Sequence, residues 1–496
     1  MTVALERRLI VHRNGRSRES PGRRLSWGLS PPVPADARDR VMSLRSVNPT
    51  DGSLIREYDE ASPQQVASAL AAAARAFESW RRTTFAERAT ALRRAGALLR
   101  EGRDGLARLM ALEMGKPVAQ GRAEADKCAW VCEHYAEHAE RFLAPEAAPT
   151  DASRSYVAFE PLGLILAVMP WNFPLWQVFR FAAPALAAGN VGLLKHASNV
   201  SGCALAIEEV LHEAGVPRDA FRALLVGSAR VAALVEAPEV AAVTLTGSTP
   251  AGRAVAAKAG ACLKKSVLEL GGSDPYVVLE DADLERAAET CATSRLQNGG
   301  QSCIAAKRFV VVESVLQGFQ ELLVERIRAR RMGDPLDEAI DVGPQARRDL
   351  RDLLHRQVEA SVARGARALL GCRVPAGPGA FYPPSVLAGV EPGMPAFDEE
   401  LFGPVAAIVA ARDERDAIRL ANRTVFGLGA AVFTRDLERG ERIARHELSA
   451  GSCFVNAFVK SDPRLPFGGI RESGYGRELG AFGIREFVNV KTVYVA

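Results

Sequence analysis

A lone cysteine follows a glycine-rich bend in Gln297-Asn298-Gly299-Gly300-Gln301-Ser302-Cys303, a setting that admits a substrate to a thiol nucleophile. The competing reading is a buried structural thiol, the usual role of one cysteine among eight. Glu269, in Leu268-Glu269-Leu270-Gly271-Gly272, is a carboxylate at the end of an apolar run, where desolvation raises its pKa and suits it to general-base work. A satisfied ion pair is the alternative. Trp171-Asn172-Phe173-Pro174 leaves another apolar run and offers the Asn172 amide to a developing oxyanion. Thr246-Gly247-Ser248-Thr249-Pro250-Ala251-Gly252 joins a buried strand to a helix, where free backbone N–H groups and the helix dipole favour a phosphate. Many such turns carry Gly and Ser for conformational reasons alone, and no one of these signals settles the chemistry.

Those residues need a scaffold, and the hydrophobic pattern describes one. Ser62-Pro63-Gln64-Gln65 reads as a helix start with a capping box, and helices are expected from there to about Phe142. From Tyr156 short apolar runs alternate with amphipathic segments. Leu164–Val168, Val191–Lys195, Phe221–Val226, Val240–Thr246 and Ser266–Leu270 read as strands, with helices such as Ser201–Ala214 and Pro250–Ala259 between them. That alternation implies a parallel sheet covered on both faces. A second series, Tyr276–Leu279, Arg308–Val312, Val405–Val409, Gly429–Phe433 and Gly451–Val455, implies a second α/β unit, and Phe487–Val495 alternates as an added strand.

At 496 residues the chain is long enough for two to four domains. No apolar run approaches the roughly 18 to 20 residues needed to cross a bilayer. The net charge of +4 resides in the N-terminus: residues 1–41 hold nine arginines against four acidic residues, which argues against a nucleic-acid surface on the remainder. Those 41 residues lack a core-forming pattern and read as a disordered basic tail, or as sequence upstream of a true start at Met42. Eight cysteines without framework spacing or a secretory signal point to the reducing cytoplasm. Cys128, Cys132, His134 and His138 come nearest to a metal cluster, but the histidines rotate off the cysteine face. Small buried thiols and solvated histidines are the expectation, with no metal.

The order of the motifs carries more than any one of them. Pro170–Pro174, Lys195–Ser198, Thr246–Ser248, Leu268–Gly272, Gly300–Cys303, Glu400-Leu401-Phe402-Gly403-Pro404 and Pro466–Gly469 make the chain, from about Asn48 onward, resemble the aldehyde dehydrogenase superfamily. Leu175–Phe181 and Lys460–Pro466 look like its bacterial succinate-semialdehyde branch. The resemblance implies a Cys303 thiolate that attacks the aldehyde, an oxyanion held by Asn172 and the Cys303 N–H, and Glu269 as the base that activates hydrolytic water. It also implies NAD(P), bound by Trp171, Lys195, Ser198, Gly247, Ser248, Glu400 and Phe402. NAD-selective relatives often carry glutamate three residues after the lysine, so Ser198 favours NADP.

For the substrate, the resemblance implies that Arg180 binds a carboxylate, Ser302 and Ser461 supply hydroxyls, and Trp176 walls the tunnel. Some relatives add an arginine where this chain has Gln297, a loss for which Arg464 or Arg295 is the candidate replacement. The alternative for Arg180 is a structural ion pair. The implied architecture is α/β: a Rossmann-like NAD(P)-binding domain (43–142 and 163–270), a catalytic domain (271–470) and an oligomerisation arm (143–162 and 471–496) in a homodimer or homotetramer. Rival readings are a dehydrogenase for glutarate semialdehyde or an aliphatic aldehyde, and a catalytically silent binding protein on the same fold.

Overall fold

The computed structural model describes residues 43–496. The tail read over residues 1–41, and the alternative start at Met42, lie outside the described residues. Ser62 caps the helix Pro63–Trp80 with the expected reciprocal box, its side chain accepting from the Gln65 N–H while the Gln65 side chain accepts from the Ser62 N–H. Such a cap is worth about 1 kcal/mol. Three further helices, Phe85–Glu101, Arg103–Met114 and Val118–Phe142, complete the helical region at the expected residue.

Two large sheets follow. The first orders its strands 474–475, 265–269, 240–246, 164–169, 191–196, 221–223, all parallel except the two-residue edge strand. Its central strand Leu164–Met169 is apolar almost throughout, as a strand covered on both faces must be. The strand expected over Phe221–Val226 stops at Ala223, because it is the outer edge and pairs only with Val191–His196. The second sheet has seven strands, two more than the periodicity indicates. Arg367–Leu370 and Ser385–Ala388 were not legible, being four residues each, the first of them an outer edge with little apolar alternation. The remaining five strands lie within two residues of their expected bounds.

A third, antiparallel sheet joins Val488–Val495 to Arg154–Pro161 and Glu146–Ala147. The arm expected over 471–496 is therefore narrower. Gly474–Tyr475 pairs instead with the end of the Lys265–Glu269 strand, and the helix Gly480–Arg485 packs on the helices Val118–Phe142 and Trp176–Ala188. Gly474 permits this: at φ +109° a Cβ there would lie 1.9 Å from the Leu268 carbonyl oxygen.

Candidate active site

In a parallel α/β sheet, ligands meet the carboxyl ends of the strands where the strand order reverses. Here the chain passes from Leu164–Met169 outward to 191–196 and 221–223, then returns to the other side at 240–246. Asn172, Lys195, Ser248 and Glu269 all stand at or just beyond those carboxyl ends. Cys303 reaches the same region from the other sheet, on the loop between the helix Leu284–Leu296 and the strand Arg308–Val312.

The cysteine loop is wound tightly. Asn298, Gly299 and Gly300 take φ values of +55°, +61° and +74°. A Cβ on Gly300 would lie 2.3 Å from the Gly403 carbonyl oxygen, so only glycine fits. Asn298 tolerates its left-handed turn because its side chain is fastened, Nδ2 donating to the carbonyls of Asn172 (2.6 Å) and Gln301 (3.1 Å). The Asn172 Nδ2 also donates to the Gln301 carbonyl at 3.1 Å, which fixes the amide and leaves its second hydrogen for another acceptor. From beneath, buried Lys307 donates to the carbonyls of Ser302 (3.0 Å) and Cys303 (2.8 Å), and Arg295 donates to that of Gly300 (2.7 Å). Neither Lys307 nor the loop-fastening role of Arg295 carries a periodic signal in the sequence.

Cys303 is half-buried, and desolvation pushes its thiol up to about 12, with Arg180 and Lys307 pulling the other way. Glu269 is buried, and its carboxyl is held well above the ordinary range by desolvation, opposed by Arg180 and reinforced by Glu478. Neither carboxyl oxygen of Glu269 is hydrogen-bonded to a described residue. Burial thus favours its protonated form, and it takes up a proton readily once ionised.

A cavity enclosing about 770 Å³, its open mouth included, is lined by Cys303, Ser302, Trp176, Arg180, Ser461 and Lys127, with Gln297 also on its wall. The helix Trp176–Ala188 that supplies two of these residues lacks a local cap; buried Glu124 takes that place, accepting from the N–H groups of Leu175 and Trp176 at 2.9 Å each. Glu124 is in turn ion-paired to buried Lys116. Arg180 lines the cavity and is also buried in an ion pair with Glu478, the alternative contact, and stacks on Phe467 at 4.8 Å. Arg464 is not the replacement for the missing arginine, because it grips Asp462 through two hydrogen bonds and covers Trp130. Arg295 is likewise spent on the Gly300 carbonyl behind the loop and does not line the cavity. A half-buried cation that does line it, beside Arg180, is Lys127, which stands in no motif.

On the other side of the cysteine, the residues fit a dinucleotide. Ser248 begins the helix Thr249–Ala261 with its hydroxyl making no capping bond, leaving side chain and first-turn N–H groups available to a phosphate. Gly247 precedes it, its N–H fixed to the Glu269 carbonyl at 2.9 Å. Buried Lys195 makes no ion pair among the described residues; desolvation lowers its ammonium, opposed by Glu60, an acid 135 positions away that no motif flagged. Ser198 opens the short turn Ser198–Val200, its carbonyl accepting from Ser201 while its hydroxyl bonds to no described residue. Glu400 accepts from the Gly272 N–H at 3.0 Å and lies 3.5 Å from Lys307. Phe402 and Trp171 meet edge to face at 5.7 Å between ring centres. The expected histidine pair differs from expectation in one respect: His134 is buried against Tyr135, His138 and Phe142, not solvated.

The arrangement joins a thiol, a fixed amide donor and a desolvated carboxyl to a dinucleotide cradle, the set that aldehyde oxidation through a thioester requires. Comparison with known proteins agrees. The profile of the Aldehyde dehydrogenase family matches residues 36–493. A probable NADP-dependent succinate-semialdehyde dehydrogenase of Synechocystis is 49% identical over 455 residues, covering 92% of this chain and 100% of that protein. The NAD(P)-dependent succinate semialdehyde dehydrogenase of Escherichia coli is 48% identical, covering 90% and 97%. A crystal structure of succinic semialdehyde dehydrogenase from Streptococcus pyogenes with NADP+ superposes with a TM-score of 0.89 at 34% identity, over 91% of this chain and 99% of that one. With motifs, geometry and these likenesses in accord, the chain belongs to the aldehyde dehydrogenase family.

Proposed function

We propose that this protein oxidises succinate semialdehyde to succinate with NADP in preference to NAD, using Cys303 as nucleophile, Asn172 as oxyanion donor and Glu269 as general base. The observation that carries the reading is that the cavity reached by Cys303 is also lined by cationic side chains, buried Arg180 and half-buried Lys127, suited to an aldehyde that ends in a carboxylate. The named activities of the relatives support the same substrate and cofactor.

The Cys303 sulfur, freed of its proton, bonds to the aldehyde carbon, and the carbonyl oxygen becomes an anion facing the free Asn172 amide hydrogen and the Cys303 N–H. NADP, when bound, supplies the acceptor for the hydride that leaves this carbon. Collapse of the oxyanion leaves a thioester on Cys303. Glu269 then takes a proton from water as the water oxygen attacks the thioester carbon, the carbon–sulfur bond breaks, and succinate departs. Trp176 and Phe173 give the cavity wall beside Cys303 an apolar surface.

The test is steady-state NADP reduction with succinate semialdehyde beside hexanal, which lacks the carboxylate. A carboxylate held by charged hydrogen bonds is worth roughly 1.5–3 kcal/mol, or about 10- to 100-fold in kcat/KM. Equal or better use of hexanal contradicts the substrate assignment. Arg180→Ala is expected to erase much of the preference, with hexanal turnover as the control because the variant also leaves Glu478 buried without its partner.

Cofactor choice has its own test. Ser198→Glu places a carboxylate three residues from Lys195, where it would repel a 2′-phosphate. The NADP/NAD ratio of kcat/KM is expected to fall roughly 10- to 100-fold. An unchanged ratio removes Ser198 from the account.

We further propose a homodimer or a pair of dimers, in a reducing cytoplasm. Among the described residues the strand Val488–Val495 pairs on one side only, and it exposes Val490, Tyr494 and Val495, an edge that pairing with a second copy would protect. Sedimentation showing a monomer at micromolar concentration contradicts it. All eight cysteines are unpaired, as a reducing compartment would keep them.

A further inference from the structure

We propose that Lys127 is a second specificity-determining cation of the aldehyde cavity beside Arg180, binding the carboxylate of the substrate together with the Ser461 hydroxyl. The inference rests on the oxidation of an acid-bearing aldehyde proposed above and names the group that reads the acid.

Charged groups of both signs surround the cavity. Arg180 faces it, but its charge is matched by Glu478, to which it is ion-paired in a buried contact. Glu124 faces it too, and its charge is matched by Lys116. Asp462, next to Ser461, is held by both nitrogens of the Arg464 fork. Lys460 is exposed at the wall, where water screens it. Lys127 is the remaining cation, and among the described residues no carboxylate lies within ion-pair distance of it. Its Nζ donates to Ser461 Oγ at 2.8 Å and sits 4.2 Å from the centre of the Trp176 ring.

Half-buried at the cavity wall, the Lys127 ammonium has a hydroxyl and an aromatic face as its near contacts, and an anion that joins it there would offset the cost of its partial desolvation. Burial and the neighbouring Arg180 lower it to about 8, while Cys128, Glu124 and Asp462 act in the other direction, so it remains charged at neutral pH. A lysine ammonium has three hydrogens, and the Ser461 bond uses one. The others can meet a carboxylate oxygen, and the Ser461 hydroxyl, already accepting from Lys127, has its own proton free for the second oxygen. This also accounts for Gln297, where some relatives of the resembled family carry arginine: here the second cation reaches the cavity from the helix Val118–Phe142.

Lys127→Met keeps the length of the side chain and its packing on Trp176 while removing the charge. With NADP saturating, initial rates are measured for wild type, Lys127→Met and Lys127→Arg on succinate semialdehyde and on butanal, the four-carbon aldehyde without a carboxylate. The expected result for Lys127→Met is a KM for succinate semialdehyde raised roughly 10- to 100-fold, with kcat little changed and butanal kcat/KM within about threefold of wild type. Lys127→Arg is expected to recover part of the loss. Equal losses on both aldehydes mean a structural role, and an unchanged KM means no role; either overturns the proposal. If wild type prefers succinate semialdehyde and Lys127→Met keeps the preference, the inference alone fails; if wild type shows no preference, the substrate reading fails and takes the inference with it.

Discussion

Replacing Cys303 with alanine is expected to abolish aldehyde-dependent NADP reduction, with kcat/KM falling at least about 10⁴-fold. The effect is large because no other thiol can substitute: Cys128, Cys132, Cys203 and Cys291 are buried away from the site, and the rest do not line the cavity. NADP binding, followed by tryptophan fluorescence, should survive, since the cradle at Ser248 and Lys195 is independent of the sulfur. Retained turnover would show that the nucleophile lies elsewhere. The electrostatics add a sign. Burial raises both the Cys303 thiol, to about 12, and the Glu269 carboxyl, and the reaction needs both deprotonated. Turnover of hexanal, which has no carboxylate for Lys127 to bind, is therefore expected to rise with pH from about 6 to 9, as each group moves toward its ionised form. A profile that falls over that range would contradict the assigned proton carriers.

The second large effect is expected at Glu269. Glu269→Gln is nearly isosteric but cannot take a proton from water, so acylation of Cys303 should proceed while hydrolysis stalls. The predicted signature is a burst of about one NADPH per active subunit, followed by a steady rate reduced roughly 10²- to 10⁴-fold. Rapid mixing with absorbance detection separates the phases. Loss of the burst as well would mean that Glu269 is needed first to deprotonate the thiol. The setting makes the glutamine substitution mild for folding: burial favours the uncharged carboxyl, and no described residue donates a hydrogen bond to it.

What the sequence made legible follows from where the signal is local. The capping box at Ser62 and the apolar strands of the first sheet are specified by neighbouring residues, and they stand where the pattern put them. The short edge strands at Arg367–Leu370 and Phe221–Ala223 were not legible or were drawn too long, because an edge buries little and its pairing partner is far away in the chain. The same contrast holds within the site. Asn172, Glu269 and Cys303 lie in recognisable motifs and the fold brings them to one region, but the groups that tune them arrive from elsewhere. Glu478 neutralises Arg180 from about 300 residues away, Lys307 and Arg295 fasten the cysteine loop by its carbonyls, and Lys127 enters from a helix with no motif. Arg464 illustrates the converse: sequence proximity to Ser461 made it a candidate, while its bond to Asp462 removes it.

The most direct test of the account is to mix Glu269→Gln protein with succinate semialdehyde and NADP, quench in acid, and map the peptides by mass spectrometry. The account predicts a succinyl thioester on the peptide that contains Cys303, in amount equal to the NADPH formed in the burst. NADPH formed without an acyl group on Cys303, or an acyl group on another residue, would contradict it.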